Sequence, residues 1–356
     1  VRAFLLTLLL ICGLAVSSAH AQRIAVTSNL AVYVAPPANC APGYYATTPP
    51  TPTTGCGNDA TGTGSAAAPW ATVQHALTVL YQGYDFGGLY APTIYLASSL
   101  VGQPIGQAFF YPGFKMSGRL VGQPGTVPVL VGGSQPNVSV GIYNPFTITG
   151  DPNNPTGVFI QPGQHGFPCD NAVSLSDDAA VKITGMLFDT LACSTGHLLV
   201  FTGSFADLSY AWFGNAGSGT HSGLDQIGVA WGGAFVLITG PLTIAGGASS
   251  FIETGIDGGA QFSTNGQVPI NITLAGIPSF SNGMFQASYG RIEMSAVTFS
   301  QYYPGQPVSI TGAPAVAKYG GVINTSGVGA GPNTCQPSYF PSGTSPINVQ
   351  DNAVCR

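Results

Sequence analysis

The rhythm of apolar and polar positions changes three times along this chain. Residues 22–34 alternate as a strand does, with Ile24, Val26, Val32 and Val34 on one parity. Residues 35–68 lose that alternation and are rich in Pro, Thr, Gly and Ala, which reads as an irregular surface segment. Over residues 69–83 the period lengthens: Trp70, Val73, Leu77 and Leu80 fall at i, i+3, i+7 and i+10, one face of a helix. Pro69 suits the first helical position and Gly83 the stop. A lone amphipathic helix must bury its face on something. Because strands follow, the partner its position implies is the open end of a sheet stack.

From Thr93 onward the pattern becomes short apolar runs broken by Gly, Asn, Pro or Asp, such as Thr93-Ile94-Tyr95-Leu96, Val158-Phe159-Ile160 and Val181-Lys182-Ile183. Asn-Gly and similar hairpin dipeptides are few, so these strands are not predicted to pair as hairpins. A small residue followed by alternating positions recurs at Gly233-Ala-Phe-Val-Leu, Gly259-Ala-Gln-Phe-Ser, Gly290-Arg-Ile-Glu-Met and Gly321-Val-Ile-Asn-Thr, 26 to 31 residues apart. Ala180-Val-Lys-Ile and Phe205-Ala-Asp-Leu continue the series upstream. One pass of a parallel β-solenoid consumes about this much chain, and no pass can bury its inward side chains alone, so residues 84–330 predict a stack, roughly nine or ten passes from residue 93 on. Residues 331–356 are expected to form a C-terminal cap or tail.

Composition sharpens this all-β reading. Charged residues are only 6% of the chain, against about 25% in ordinary domains. With 2 Glu and 3 Lys there is little to cover the outer faces of helices. The 50 Gly and 28 Pro come with a 45% apolar fraction spread along the whole chain, which supports a packed core rather than disorder. The formal net charge of −5 includes no basic stripe, which argues against nucleic acid as a partner.

The first 21 residues read as a secretory signal peptide: Arg2, an apolar run from Ala3 to Val16, then Ala19-His20-Ala21 as a cleavage pattern. The expected location is therefore secreted, periplasmic or at a bacterial cell surface, with no membrane span after cleavage. Six cysteines remain, and proximity suggests Cys40–Cys56, Cys169–Cys193 and Cys335–Cys355 among the fifteen connectivities that six cysteines allow.

The stretch Pro69-Trp70-Ala71-Thr72-Val73-Gln74-His75-Ala76-Leu77 resembles the capping-helix motif that opens many right-handed parallel β-helix proteins of the pectate-lyase-like superfamily. It follows Val32-Tyr33-Val34 and a Gly/Asn/Asp-rich stretch at Gly57-Asn58-Asp59, in the order usual for that superfamily. The tail, Ala317-Lys318-Tyr319-Gly320-Gly321-Val322-Ile323-Asn324-Thr325 leading to Tyr339-Phe340-Pro341, is similar to the ends of bacterial exported and phage-tail-associated members. The resemblance implies a right-handed parallel β-helix with an N-terminal capping helix. It implies no single activity, since its members include polysaccharide lyases, glycoside hydrolases, tailspikes and adhesins.

Three sets of residues carry candidate chemistry. Asp170, Asp177, Asp178 and Asp189, with Lys182 among them, could share an outer face and serve a lyase or hydrolase, with Ca²⁺ as the cofactor of a lyase; otherwise none is implied. The plainer reading is turn aspartates. His165, Cys169, Cys193 and His197 have the residue types of a zinc site, but in an exported protein a disulfide is the stronger reading. Tyr210, Trp212 and Trp231 cluster within one repeat, and flat rings on an uncharged sheet suit sugars, unless they simply fill the core. The leading expectation is a non-catalytic scaffold binding polysaccharide or a cell-surface glycan. The alternatives are a polysaccharide lyase or glycoside hydrolase using the aspartates, or a structural, tail-spike-like appendage working as a homotrimer.

Overall fold

The computed structural model describes residues 23–40, 42–86, 90–100, 109–117, 146–161, 171–176, 179–189, 195–214, 221–230, 233–255, 260–264, 269–294, 296–325 and 340–355. Two large sheets of parallel strands dominate it, of 15 and 11 strands. Every pairing between described strands is parallel, except two that build a small sheet near the N-terminus. Long parallel stacks of this kind are consistent with a β-solenoid.

The chain visits the sheets in a fixed cycle. Phe235–Ile238 lies on the first limb of the larger sheet, Leu242–Ile244 on its second limb, and Ala248–Thr254 on the other sheet. Gln261–Thr264 then returns to pair with Phe235–Ile238, and Ile270–Leu274 pairs with Leu242–Ile244. The strands Ala180–Phe188 and Phe205–Phe213 each run through both limbs and bend at Gly185 and Tyr210, which have φ of 72° and 51°.

Strand alternation sends every second side chain inward, and the parallel register places like on like. On the first limb Phe146, Val181, Ala206, Val236, Phe262, Ile292 and Ile323 form one inward row. Beside it runs Val32, Ile94, Ile148, Ile183, Leu208 and Ile238. On the other sheet Val173, Leu199, Ile227, Ile252 and Phe285 stack in the same way. All belong to one continuous buried cluster.

The N-terminal end of the stack is covered by helix α1, Val73–Gly83, which buries Val73, Ala76, Leu77 and Leu80. The helix begins four residues later than the periodicity predicts. Trp70 is held extended, in a parallel bridge to Val34, and Thr72 takes the N-cap, its hydroxyl accepting the His75 N–H at 3.1 Å. The Asp59 carboxylate fixes that corner by accepting the Ala71 and Thr72 N–H groups and the Thr72 hydroxyl. At the other sheet's edge, the Gln74 side chain accepts the Lys115 N–H. No helix among the described residues is long and apolar enough to cross a membrane.

The segment that reads as irregular has an architecture of its own. Cys40 and Cys56 are disulfide-bonded, with Cα atoms 5.1 Å apart. Within the loop they close, Gly43–Tyr45 pairs antiparallel with both Thr51–Pro52 and Ser98–Ser99. The Tyr44 hydroxyl donates to the Asp151 carboxylate, which is buried, and the Asn154 amide donates to the Ser99 carbonyl. Burial and then Asp151 push the Tyr44 phenol up to about 12, so it stays protonated as a donor. The cross-linked loop is thereby fastened to the flank of the stack. Cys355 is also disulfide-bonded. Its expected partner Cys335, and the pair Cys169 and Cys193, lie outside the described residues, as does the expected signal peptide.

Candidate functional site

Lys182 occupies an outward position on the first limb, in register with Thr147 on one side and Asp207 on the other. Its ammonium lies 3.8 Å from the Asp207 carboxylate. The Thr239 hydroxyl donates to the other oxygen of the same carboxylate. Burial raises the Asp207 carboxyl above the usual carboxylate value, against smaller opposing pulls from Thr239 and Lys182. Phe205 and Phe235 stack beside this group with centroids 5.6 Å apart. Of the aspartates expected to accompany Lys182, only Asp189 lies among the described residues. Asp189 is buried at the end of its strand, its N–H bonded to the Ile160 carbonyl. Asp170, Asp177 and Asp178 lie outside the described residues.

Sequence reasoning missed Asp207 because it sits 25 residues from Lys182. Only the register makes them neighbours. Lys182, Asp207 and Thr239 provide one partly buried carboxyl beside an ammonium, enough to hold or pass a proton at a single point. Among the described residues no group of three His, Cys, Asp or Glu could hold a metal ion. Of the zinc candidates, His197 lies on a strand in register with Asp225, and His165, Cys169 and Cys193 lie outside the described residues.

The aromatic cluster divides at the bend. Tyr210 stands at the bend itself, 43% exposed, its ring beside Gly240, where a Cβ would approach the ring to 3.2 Å. Trp212, two residues on, is 9% exposed and meets Tyr302 edge-on at 5.2 Å, and Tyr302 meets Tyr303 at the same distance. Trp231 lies outside the described residues.

The structure adds a pair that the sequence reading did not single out as a site. Tyr289 and Tyr319 follow Ser288 and Lys318, which are in register, and their rings stack at 5.3 Å with planes 12° apart. Both are about half exposed, and the Lys318 ammonium lies 5.8 Å from the Tyr319 ring centroid. Each has positive φ, 59° and 54°, like Tyr210. A bulky side chain rarely adopts that conformation, which costs of order 1 kcal/mol or more. The sequence signal was there: Tyr-Gly occurs at Tyr289-Gly290 and again at Tyr319-Gly320, at equivalent points of the repeat.

No family model, curated protein or solved structure matches this chain. A functional reading therefore rests on the chain's own geometry, which offers two unlike surfaces. One is the Lys182–Asp207–Thr239 group on a sheet face. The other is a set of tyrosines projecting from bends and strand ends, with rings presented to solvent.

Proposed function

We propose that this protein is an exported right-handed parallel β-helix of the pectate-lyase-like kind that binds glycan without cleaving it, through tyrosines projecting from its bends. The observation that carries the reading is the shared backbone of Tyr210, Tyr289 and Tyr319. All three hold positive φ and keep their rings in water. A fold gains nothing in its core from such residues, and Gly or Asn would occupy the same backbone with less strain. Rings held outward at a cost, two of them stacked on neighbouring passes, suit the apolar faces of sugars. The low charge of the chain favours a neutral glycan, and export would place the protein where such polymers occur.

The test replaces Tyr289 and Tyr319 together by Asn, which removes both rings while suiting the backbone. The full chain should be retained on insoluble neutral polysaccharides without releasing reducing ends or unsaturated products. The double variant should fold as well as the parent and lose that retention. Equal retention by parent and variant would refute the role of the pair.

The Asp207 group supports a second reading, a polysaccharide lyase or hydrolase, because a raised carboxyl next to an ammonium can serve proton transfer. Product release that disappears in Asp207→Asn would favour it over the binder.

A further inference from the structure

The second limb of the larger sheet has an outward row that changes character along the stack. Phe159, Leu187 and Trp212 stand in register, then Thr243, Thr273 and Ser300 continue the row. Trp212 belongs to a small apolar cluster outside the main core, together with Ala245 and Ala275. These alanines directly follow Ile244 and Leu274, and Tyr302 holds the equivalent place after Gln301, its N–H bonded to the Leu274 carbonyl. Two small residues thus lie between an indole at one end and a phenol at the other, and the two rings meet edge-on. The Trp212 Nε1 is buried and has no hydrogen-bond partner. A buried donor left unpaired keeps its desolvation penalty uncompensated, and an aromatic face is a weaker acceptor than a hydroxyl oxygen. Tyr302, by contrast, is 53% exposed and opens the turn that runs to Gly305. Alongside lies an uncharged hydrogen-bonding strip: the Asn271 amide donates to Thr273 and Ser300, and the Thr298 hydroxyl donates to Asn271.

We infer that Ala245 and Ala275 floor a trough that is a subsite for one neutral pyranose of a glycan, and that the Tyr302 ring fills it until sugar displaces it. With Tyr302 turned outward, a pyranose stacks on the Trp212 indole over Ala245 and Ala275, a ring hydroxyl accepts the orphaned Nε1–H, and Asn271 and Thr273 meet the remaining hydroxyls. The side chains named around the trough carry no charge, which selects neutral sugars over uronates or phosphorylated ones. The inference rests on the glycan-binding reading but uses a different face from Tyr289 and Tyr319.

The experiment measures affinity of the full chain, by calorimetry, for cellohexaose, xylohexaose, mannohexaose and maltohexaose. Three variants are compared: Tyr302→Ala, Trp212→Phe, and Tyr289→Asn with Tyr319→Asn. Tyr302→Ala removes the competing ring and should tighten binding of at least one oligosaccharide by about three- to tenfold; Trp212→Phe keeps an aromatic surface, loses the N–H, and should weaken it by a similar factor. Binding by Tyr302→Ala where the parent binds none supports the subsite equally. If the parent binds and neither change at Trp212 or Tyr302 alters affinity, the subsite is wrong and the wider reading stands. If only the Trp212 and Tyr302 variants alter affinity, the subsite stands and the tyrosine pair is wrong. Absence of binding by the parent and by Tyr302→Ala overturns both.

Discussion

Asp207 shows how far a single residue's chemistry depends on its neighbours in register. Burial lifts its carboxyl, and Thr239 and Lys182 only partly offset that. A carboxyl whose folded value exceeds its unfolded value binds its proton more tightly when folded. Its favourable contribution is therefore complete below the ordinary value of 3.8 and is lost as pH rises through the raised value. Asp207→Asn has no proton to lose. Its stability relative to the parent should rise with pH from about 4 through that window and then level off. Urea denaturation of both proteins across the range checks this, and a pH-independent difference would contradict it. At this scale the sequence was least legible. The inward residues announce themselves by alternation, but Lys182 and Asp207, or Tyr289 and Tyr319, become partners only once the strands are set side by side. The aromatic cluster divides in a way that sequence spacing does not show. Tyr210 and Trp212 are two apart in sequence, yet one stands at the bend in water and the other is packed beneath Tyr302.

At the scale of elements, helix α1 and the cross-linked loop do the joining. The helix was legible as an amphipathic face; its start was not, because Asp59, a residue outside the periodic stretch, holds Ala71 and Thr72 in the approach to the helix. Thr72→Ala removes the N-cap acceptor and one donor to Asp59, and should cost about 1 kcal/mol, with Thr72→Ser restoring most of it. Asp59→Ala releases three hydrogen bonds and should cost more, roughly 2 kcal/mol in chemical denaturation. The loop closed by Cys40 and Cys56 was legible as a disulfide but not as a docked sheet, since its strands find their partners at Ser98–Ser99 and its anchor at Asp151. Cys40→Ser with Cys56→Ser should lower stability by about 3 kcal/mol, the loop-closure value for 16 residues of separation. A loss below about 1 kcal/mol would mean that the loop stays ordered without its cross-link. The outward row of the second limb also left a trace in the sequence. Val158-Phe159-Ile160, Met186-Leu187-Phe188 and Ala211-Trp212-Phe213 are apolar throughout, the pattern of strands buried on both faces, whereas Ile270-Asn271-Ile272-Thr273-Leu274 alternates. The change from one to the other marks where the outer face passes from apolar cluster to polar strip.

For the molecule as a whole, the repeating passes were legible because inward positions are constrained twice, by the core and by the residue stacked above and below. Outward positions lack the first constraint, and they vary from Lys182 to Leu237 within a single row. Architecture could thus be read from repetition, and a site could not. The glycan-facing account depends on that architecture, because it needs rings and hydroxyls from separate passes to lie along one surface.

One row offers a ruler for it: Thr93, Thr147, Lys182, Asp207, Leu237, Ser263, Glu293 and Asn324 follow one another in register. Spin labels carried on non-cysteine side chains at Lys182 and Glu293, and separately at Thr93 and Asn324, can be measured by pulsed dipolar resonance. Parallel stacking predicts distances of about 19 Å for the first pair and about 34 Å for the second, four and seven strand spacings. A second distance no longer than the first would contradict the winding on which the proposed surfaces depend.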